Sequence, residues 1–282
     1  MGSWFPADVR RRVSMVYYIT MQSVGVIGGS GLYDIEGLKI LEQRELETPY
    51  GRPSAPFALG ELDGVRLVFL PRHGLRHEIA PHRVNYRANI RGFRDLGAER
   101  IISVNATGGI NPSLAPGDLV VLDQVLDMTQ GARPGTFYEE GEVVHVDFTE
   151  PYCPELRASA LLAGKEAGLA LRAEGTYLCV NGPRLESRAE VRFFARGGAD
   201  LVGMTAMPEA VLARELEMCL LGISVVTNRA AGLTGQKLTT EEVVQMMKES
   251  TRRLRLLIKE TVARIPPRRH CPCKDALTGA RM

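Results

Sequence analysis

The chain has 282 residues, 45% hydrophobic, 24% charged and only 6% aromatic, which excludes a disordered, collagen-like or disulfide-scaffold protein. No stretch approaches the roughly 18 apolar residues of a bilayer span, so no membrane span is predicted. The formal net charge of +2 sits in the two ends, in Arg10–Arg12 and in Arg268, Arg269, Lys274 and Arg281. The body between them is net acidic, which argues against nucleic acid as a partner.

From residue 24 onward strands and helices alternate. Val24-Gly25-Val26-Ile27 runs into Gly28-Gly29-Ser30-Gly31, a buried strand ending in a glycine-rich turn. Further short apolar runs are Val65–Leu70, Ile101–Ala106, Leu119–Val125, Tyr177–Val180, Leu201–Met204 and Leu221–Thr227. Several are continuous, as expected of central strands covered on both faces. Helical segments are predicted near 84–96, 155–167, 187–196 and 208–217. The last helix is capped by Thr239 or Thr240, carries Glu241 and Glu242 in its first turn, and stops at Pro266-Pro267.

This pattern predicts one α/β domain over residues 23–265. Residues 1–22 are expected to be a disordered extension, in which Met15 and Met21 are alternative starts, and residues 266–282 a disordered tail. Cys153, Cys179 and Cys219 read as reduced core thiols. Cys271-Pro272-Cys273 offers only two thiols, which cannot close a tetrahedral site, and no second pair is nearby in the sequence, so no metal is expected. The N-terminus has no clean apolar stretch or cleavage site of a signal peptide, which makes the cytoplasm the expected compartment.

Six strand exits carry polar or small residues of chemical interest. In Gly28-Gly29-Ser30-Gly31 the backbone N–H groups and the Ser30 hydroxyl suit an oxyanion, while the spacing fits neither a dinucleotide-binding nor a Walker loop. Arg72 and His73 follow the strand 65–70, where open α/β sheets place ligands, and Arg72 offers a planar fork for phosphate. Asn105-Ala106-Thr107-Gly108-Gly109 permits close backbone approach. One pocket shared by these three exits, or three unrelated turns, both remain open at this level.

The other three exits suit a nucleoside. Glu186 can accept a ring N–H, or simply serve a helix N-terminus. Met204 can pad a sugar and Thr205 bond an anion, or the two can be a core methionine and a helix cap. Asn228 can read a base edge through one donor and one acceptor, or be a turn residue. The chain has no G-x-S-x-G elbow, no H-E-x-x-H and no C-x-x-C. Oxyanion donors without a protein nucleophile suggest that a bound anion is itself the attacking group.

These segments together resemble the trimeric purine nucleoside phosphorylase and methylthioadenosine phosphorylase family over about residues 23–262. They stand here as V-G-V-I-G-G-S-G-L-Y, E-T-P-Y-G-R-P-S, P-R-H-G, V-N-Y-R-A-N, N-A-T-G-G-I-N-P, G-D-L-V-V-L-D-Q, G-P-R-L-E-S-R-A-E, G-M-T-A-M-P-E and T-N-R-A-A-G. The resemblance implies a mixed, twisted central sheet flanked by helices, and phosphorolysis of a purine nucleoside for salvage. It implies a homotrimer, and no cofactor beyond inorganic phosphate as co-substrate. By position it implies a phosphate site of Ser30, Arg72, His73, Asn105, Ala106 and Thr205. It implies catalytic roles for Asn228 and Glu186, and substrate contacts from Met204, Leu185, Ala230, Thr240 and Val243.

Relatives that cleave 6-aminopurines have Asp at the position of Asn228 and Ser at that of Glu186. An amide donor to O6 and a carboxylate acceptor for N1–H suit a 6-oxopurine instead. Many inosine- and guanosine-cleaving relatives have a histidine where Thr240 stands. Its loss leaves room beside Val243 and Val244 for a methylthio group, as in a bacterial subgroup that uses S-methyl-5′-thioinosine. Inosine or guanosine cleavage, then methylthioadenosine cleavage, are the alternatives, with a non-catalytic nucleoside-binding protein as the rival from another class.

Overall fold

The computed structural model describes residues 22–282 except Ala132 and Gln236, with Ser30 described by its backbone alone. The expectation for residues 1–22 therefore lies, but for Gln22, outside the described residues. Eleven strands among them form one mixed sheet. They are β1 (Ser23–Gly28), β2 (Lys39–Arg44), β3 (Phe57–Leu62), β4 (Val65–Pro71), β5 (Arg100–Gly109) and β6 (Leu119–Val121). Next come β7 (Gln124–Asp127), β8 (Leu171–Arg172), β9 (Thr176–Cys179), β10 (Leu201–Gly203) and β11 (Cys219–Arg229). The helices are α1 (Tyr86–Asp95), α2 (Pro154–Glu166), α3 (Arg188–Arg196), α4 (Ala206–Glu215) and α5 (Thr240–Arg264).

The centre of the sheet is parallel. β1 lies between β4 and β5, and β5 pairs along its whole length with β11. Alternation of side chains sorts the apolar residues onto two faces. Val24, Val26, Ile102, Val104, Leu221 and Ile223 pack with Leu254, Leu257 and Ile258 of α5 and Leu156 and Ala160 of α2. Ile27, Val68, Leu70, Ile101 and Leu220 pack with Ile90 and Phe93 of α1 and with Ala210 and Ala213 of α4. At Gly25 a Cβ would lie 2.6 Å from the Phe93 ring, so that glycine lets α1 close on the sheet.

β4, β1, β5 and β11 end on one edge of the sheet. β10 enters antiparallel to the end of β5, through Leu201 opposite Gly109, so its own exit turns back toward Asn105. β10 also runs parallel to β9, which puts the β9 exit alongside. α5 starts with a capping box, in which Thr239, not Thr240, accepts from Glu242 N–H and the Glu242 carboxylate accepts from Thr239 N–H. No helix of the described residues is long and apolar enough to cross a membrane.

Three expectations are corrected. Leu119–Val125 is not one strand: β6 pairs with β11 and β8, whereas β7 pairs with β9. Between them Asp123 accepts from the Gly175 N–H at 2.7 Å. β2 and β3 are strands that apolar periodicity did not reveal: all six residues of β2 are exposed, and Gly60 and Glu61 interrupt the short apolar run of β3.

The third correction concerns residues 266–282, which are not a disordered tail. Cys271 and Cys273 are buried in the same core as Leu254 and Ile258. Arg269 donates to Glu217 O at 2.6 Å, and Val144 and Arg281 form an antiparallel bridge. The second cysteine pair that the local sequence lacked is Cys153 and Cys219, brought in by the fold.

Candidate active site

Arg72, the first residue after β4, is 3% exposed. Its Nε donates to Glu209 Oε1 at 2.5 Å and its Nη2 to Glu209 Oε2 at 3.0 Å. Nη2 also donates to Ser103 Oγ and Nη1 to Val104 O, while the Ser103 hydroxyl donates to Glu209 Oε2 at 2.8 Å. Four of the five guanidinium N–H groups are thus taken, and one on Nη1 makes none of these bonds. Glu209, fully buried, stands in the first turn of α4, where a carboxylate also complements the helix dipole. Sequence reasoning passed over Glu209 as a partner, since 137 residues separate the pair.

The other oxyanion segments converge here. The Arg72 N–H donates to Gly28 O at 3.0 Å, which joins the β4 exit to the glycine turn. A Cβ at Gly29 would meet nothing within 4 Å, so that turn borders open space. In β5 Ala106 is exposed between the buried Asn105 and Thr107, an opening where the chain is least bulky. Asn105 Oδ1 accepts from the Thr205 hydroxyl at 2.8 Å, which ties β5 to the β10 exit. Thr205 N–H donates to the Tyr177 hydroxyl at 3.2 Å, and a Cβ at Gly203 would lie 2.1 Å from that oxygen.

His73 donates from Nδ1 to Ile79 O at 2.8 Å, and its ring lies 4.5 Å from that of His77. Burial, and then the neighbouring Arg72 charge, push its pKa down to about 4. The imidazole is neutral near pH 7, and with Nδ1–H committed its Nε2 is an acceptor. An incoming anion must therefore bring a proton to this nitrogen or share one with it.

Asn228 sits at a bulge in β11, where the register with β5 shifts between Val226 and Asn228. Its Oδ1 accepts from the Thr227 hydroxyl at 2.7 Å and its Nδ2 donates to Arg229 O at 2.8 Å. These bonds fix the amide with one N–H to spare. A Cβ at Gly108 would lie 3.4 Å from Nδ2, so a glycine beneath lets the amide settle on the strand. Ala230 is buried beside it.

Glu186 lines a cavity of about 470 Å³ with Asn181, Gly182, Glu190, Phe193 and Phe194, among others. Burial pushes its carboxyl above the ordinary carboxylate range. Asn228 is not among the lining residues, so the structure does not place the two side chains expected to read the base on one cavity. It does set their segments side by side. A Cβ at Gly232 would lie 2.8 Å from Arg188 Cγ, and Ala230 shares an apolar cluster with Phe194. Met204 packs against Gly182, where φ is +63° and a Cβ would lie 2.3 Å from Sδ.

Leu185 is half exposed. Thr240 is exposed and Val243 half-buried in the first turn of α5, and neither lines the cavity. Later in that helix Arg255 donates to Gly31 O at 2.7 Å, which ties it to the glycine turn.

A further residue had no local signal at all. Arg133, in the loop after β7, donates to Met204 O at 2.7 Å, Met207 O at 2.8 Å and Asn181 O at 2.6 Å. It fastens the β9 and β10 exits to each other and stacks over Tyr86 at 5.2 Å.

Fold and strand-edge site together define an α/β enzyme whose ligands sit where the parallel strands end. Residues 23–263 match the model of the phosphorylase superfamily, and the chain belongs to that family as a phosphorylase of the pentosyltransferase kind. It is 49% identical over 257 residues to a probable S-methyl-5′-thioinosine phosphorylase of Thermodesulfovibrio yellowstonii, covering 91% of this chain and 96% of that one. It is 46% identical over 267 residues to a 6-oxopurine nucleoside phosphorylase of Pyrococcus furiosus, covering 92% and 99%. Among solved structures it resembles a methylthioadenosine phosphorylase from an antarctic soil metagenomic library, with a TM-score of 0.87, 37% identity and 93% of each chain covered.

Proposed function

We propose that the enzyme cleaves 6-oxopurine nucleosides by phosphorolysis and prefers S-methyl-5′-thioinosine, releasing hypoxanthine and 5-methylthioribose 1-phosphate. The observation that carries this reading is the fixed Asn228 amide. With Oδ1 accepting from Thr227 and one Nδ2 hydrogen on Arg229 O, one N–H donor remains beside the second lone pair of Oδ1. That N–H pairs with O6 or N7 of a 6-oxopurine, whereas a 6-amino group offers it no acceptor at the 6-position. The raised pKa of Glu186 does not oppose this, since hydrogen bonds from ring N–H groups favour its charged form.

In this reading phosphate lies between the glycine turn, Ala106 and the spare N–H of Arg72, with the Nε2 of His73 at its side. An oxygen of the phosphate bonds to C1′ as the bond from C1′ to N9 breaks. The electron pair passes to the purine, where Asn228 stabilises it near N7. Orientation and electrostatics are the whole of the catalysis, and the reaction calls for no cofactor. Leu185, Ala230, Thr240 and Val243 border the nucleoside, and the enzyme works as a cytoplasmic homotrimer, in which the exposed Phe193 gives the cavity an apolar side.

A panel of nucleosides with and without phosphate tests this directly. Hypoxanthine release from S-methyl-5′-thioinosine, dependent on phosphate and with kcat/KM at least tenfold above inosine, is the expected result. Equal breakdown in phosphate-free buffer overturns phosphorolysis, and a tenfold preference for inosine overturns the 5′ assignment. The exposed Thr240, whose hydroxyl can meet a 5′-hydroxyl, supports inosine as the second substrate.

A further inference from the structure

Four of the five cysteines meet at the end of the sheet opposite the active site. Cys153 is the N-cap of α2, Cys219 opens β11, and Cys271 and Cys273 flank Pro272 where a 3-10 turn begins at Pro272–Asp275. All four are buried thiols, and their sulfurs lie within 4.8 Å of one another. Cys219 and Cys271 approach to 3.3 Å. A tetrahedral zinc ion with bonds of about 2.3 Å sets its four sulfurs about 3.8 Å apart, a value between those two distances. Sulfur-only donors select a soft ion such as zinc over magnesium or calcium.

The surroundings suit a tetrathiolate, which carries excess negative charge. Cys153 makes no side-chain capping bond, so its sulfur is free of that duty at the positive end of the thirteen-residue helix α2. Arg100 is the ladder partner of Cys219 across β5 and β11 and is 2% exposed. Its Nε is buried with no hydrogen-bond partner, while its Nη2 donates to Pro266 O at 2.8 Å, at the start of the C-terminal segment. Arg100 also lies 4.0 Å from the Glu155 carboxylate, so the spare Nε–H, and not an unshared charge, is what it offers the neighbouring cluster.

We propose that Cys153, Cys219, Cys271 and Cys273 form a structural site for one zinc ion, which fastens the C-terminal segment to α2 and β11. The role is structural because Asn228 lies nine residues along β11 from Cys219, about 30 Å at 3.3 Å per residue. Residues 266–282 hold few large apolar side chains, so burial alone gives that segment a weak anchor. Metal bonds from two of its residues supply a strong one.

The test is metal content of the full chain, expressed with zinc available and purified under reducing conditions without chelator. Elemental analysis is expected to find about one zinc per chain. Mercurial titration of the thiols should release it, and cobalt in its place should show the intense thiolate charge-transfer and tetrahedral bands of a sulfur-only site. Cys273→Ser is expected to lower zinc occupancy at least tenfold, whereas Cys179→Ser, outside the cluster, leaves it unchanged. Wild-type protein free of zinc, with a mass short of the hydrogens lost to disulfides, overturns the proposal whether or not the variants fold. Full zinc retention in Cys273→Ser overturns it equally.

Discussion

Arg72 and Glu209 form a two-point ion pair with almost no solvent access, closed by Ser103 and the Val104 carbonyl. The arginine expected to hold phosphate is itself held, with four of its five guanidinium N–H groups in hydrogen bonds. Glu209→Gln removes the charge and leaves the guanidinium buried without its counter-ion. Breaking such a pair from one side costs roughly 3–5 kcal/mol. Urea unfolding should show that loss, and KM for phosphate should rise at least tenfold while KM for nucleoside changes less. An unchanged phosphate KM in a folded variant would remove Arg72 from the anion site.

His73 makes the enzyme acid-sensitive. Burial first, then Arg72, holds its pKa at about 4, below the unfolded value near 6.5. Between these values the unfolded chain binds the extra proton, so stability rises with pH through this window and is lost as pH falls through it. From pH 7 to pH 5 the group accounts for about 2 kcal/mol. Denaturation of wild type and His73→Asn at both pH values is expected to show wild type losing about that much more. Parallel losses in the two proteins would mean that His73 is not buried neutral.

Asn228→Asp exchanges the spare N–H for an acceptor. Loss of at least about 100-fold in kcat/KM for 6-oxopurine nucleosides is expected, with a relative gain for methylthioadenosine. Parallel assays of hypoxanthine and adenine release decide it. Equal losses on both substrates would show that the amide is needed for folding or chemistry but does not read the 6-position.

The sheet's centre was legible because its strands carry continuous apolar runs buried on both faces, as at Leu67–Leu70 and Leu220–Ile223. β2 was not, since Lys39–Arg44 buries neither face and so carries no periodic signal. The strand exits showed themselves through small and polar residues after apolar runs. What holds those exits did not, because Glu209 and Arg133 act on residues distant in sequence with no local motif around them. The cysteines make the same point: Cys271 and Cys273 are adjacent enough to notice, but Cys153 and Cys219 join them only through the packing of α2 against α5 and β11.

Arg133 offers a test of that kind of distant support. Its guanidinium reaches carbonyls of Asn181, Met204 and Met207 at once, and it sets the spacing between the β9 exit with Glu186 and the β10 exit with Met204 and Thr205. As a positioning residue it should act on nucleoside binding more than on bond cleavage. Arg133→Ala is expected to raise KM for nucleoside about tenfold or more, since each lost charge-assisted bond is worth about 1.5–3 kcal/mol and water recovers part of it. KM for phosphate should change less, because Arg72 and the glycine turn are held by other bonds. Arg133→Lys should not restore activity, as a lysine ammonium lacks the planar fork that spans three carbonyls. Steady-state kinetics with each substrate varied in turn separates these outcomes, and a lysine variant with wild-type constants would reduce Arg133 to a source of charge.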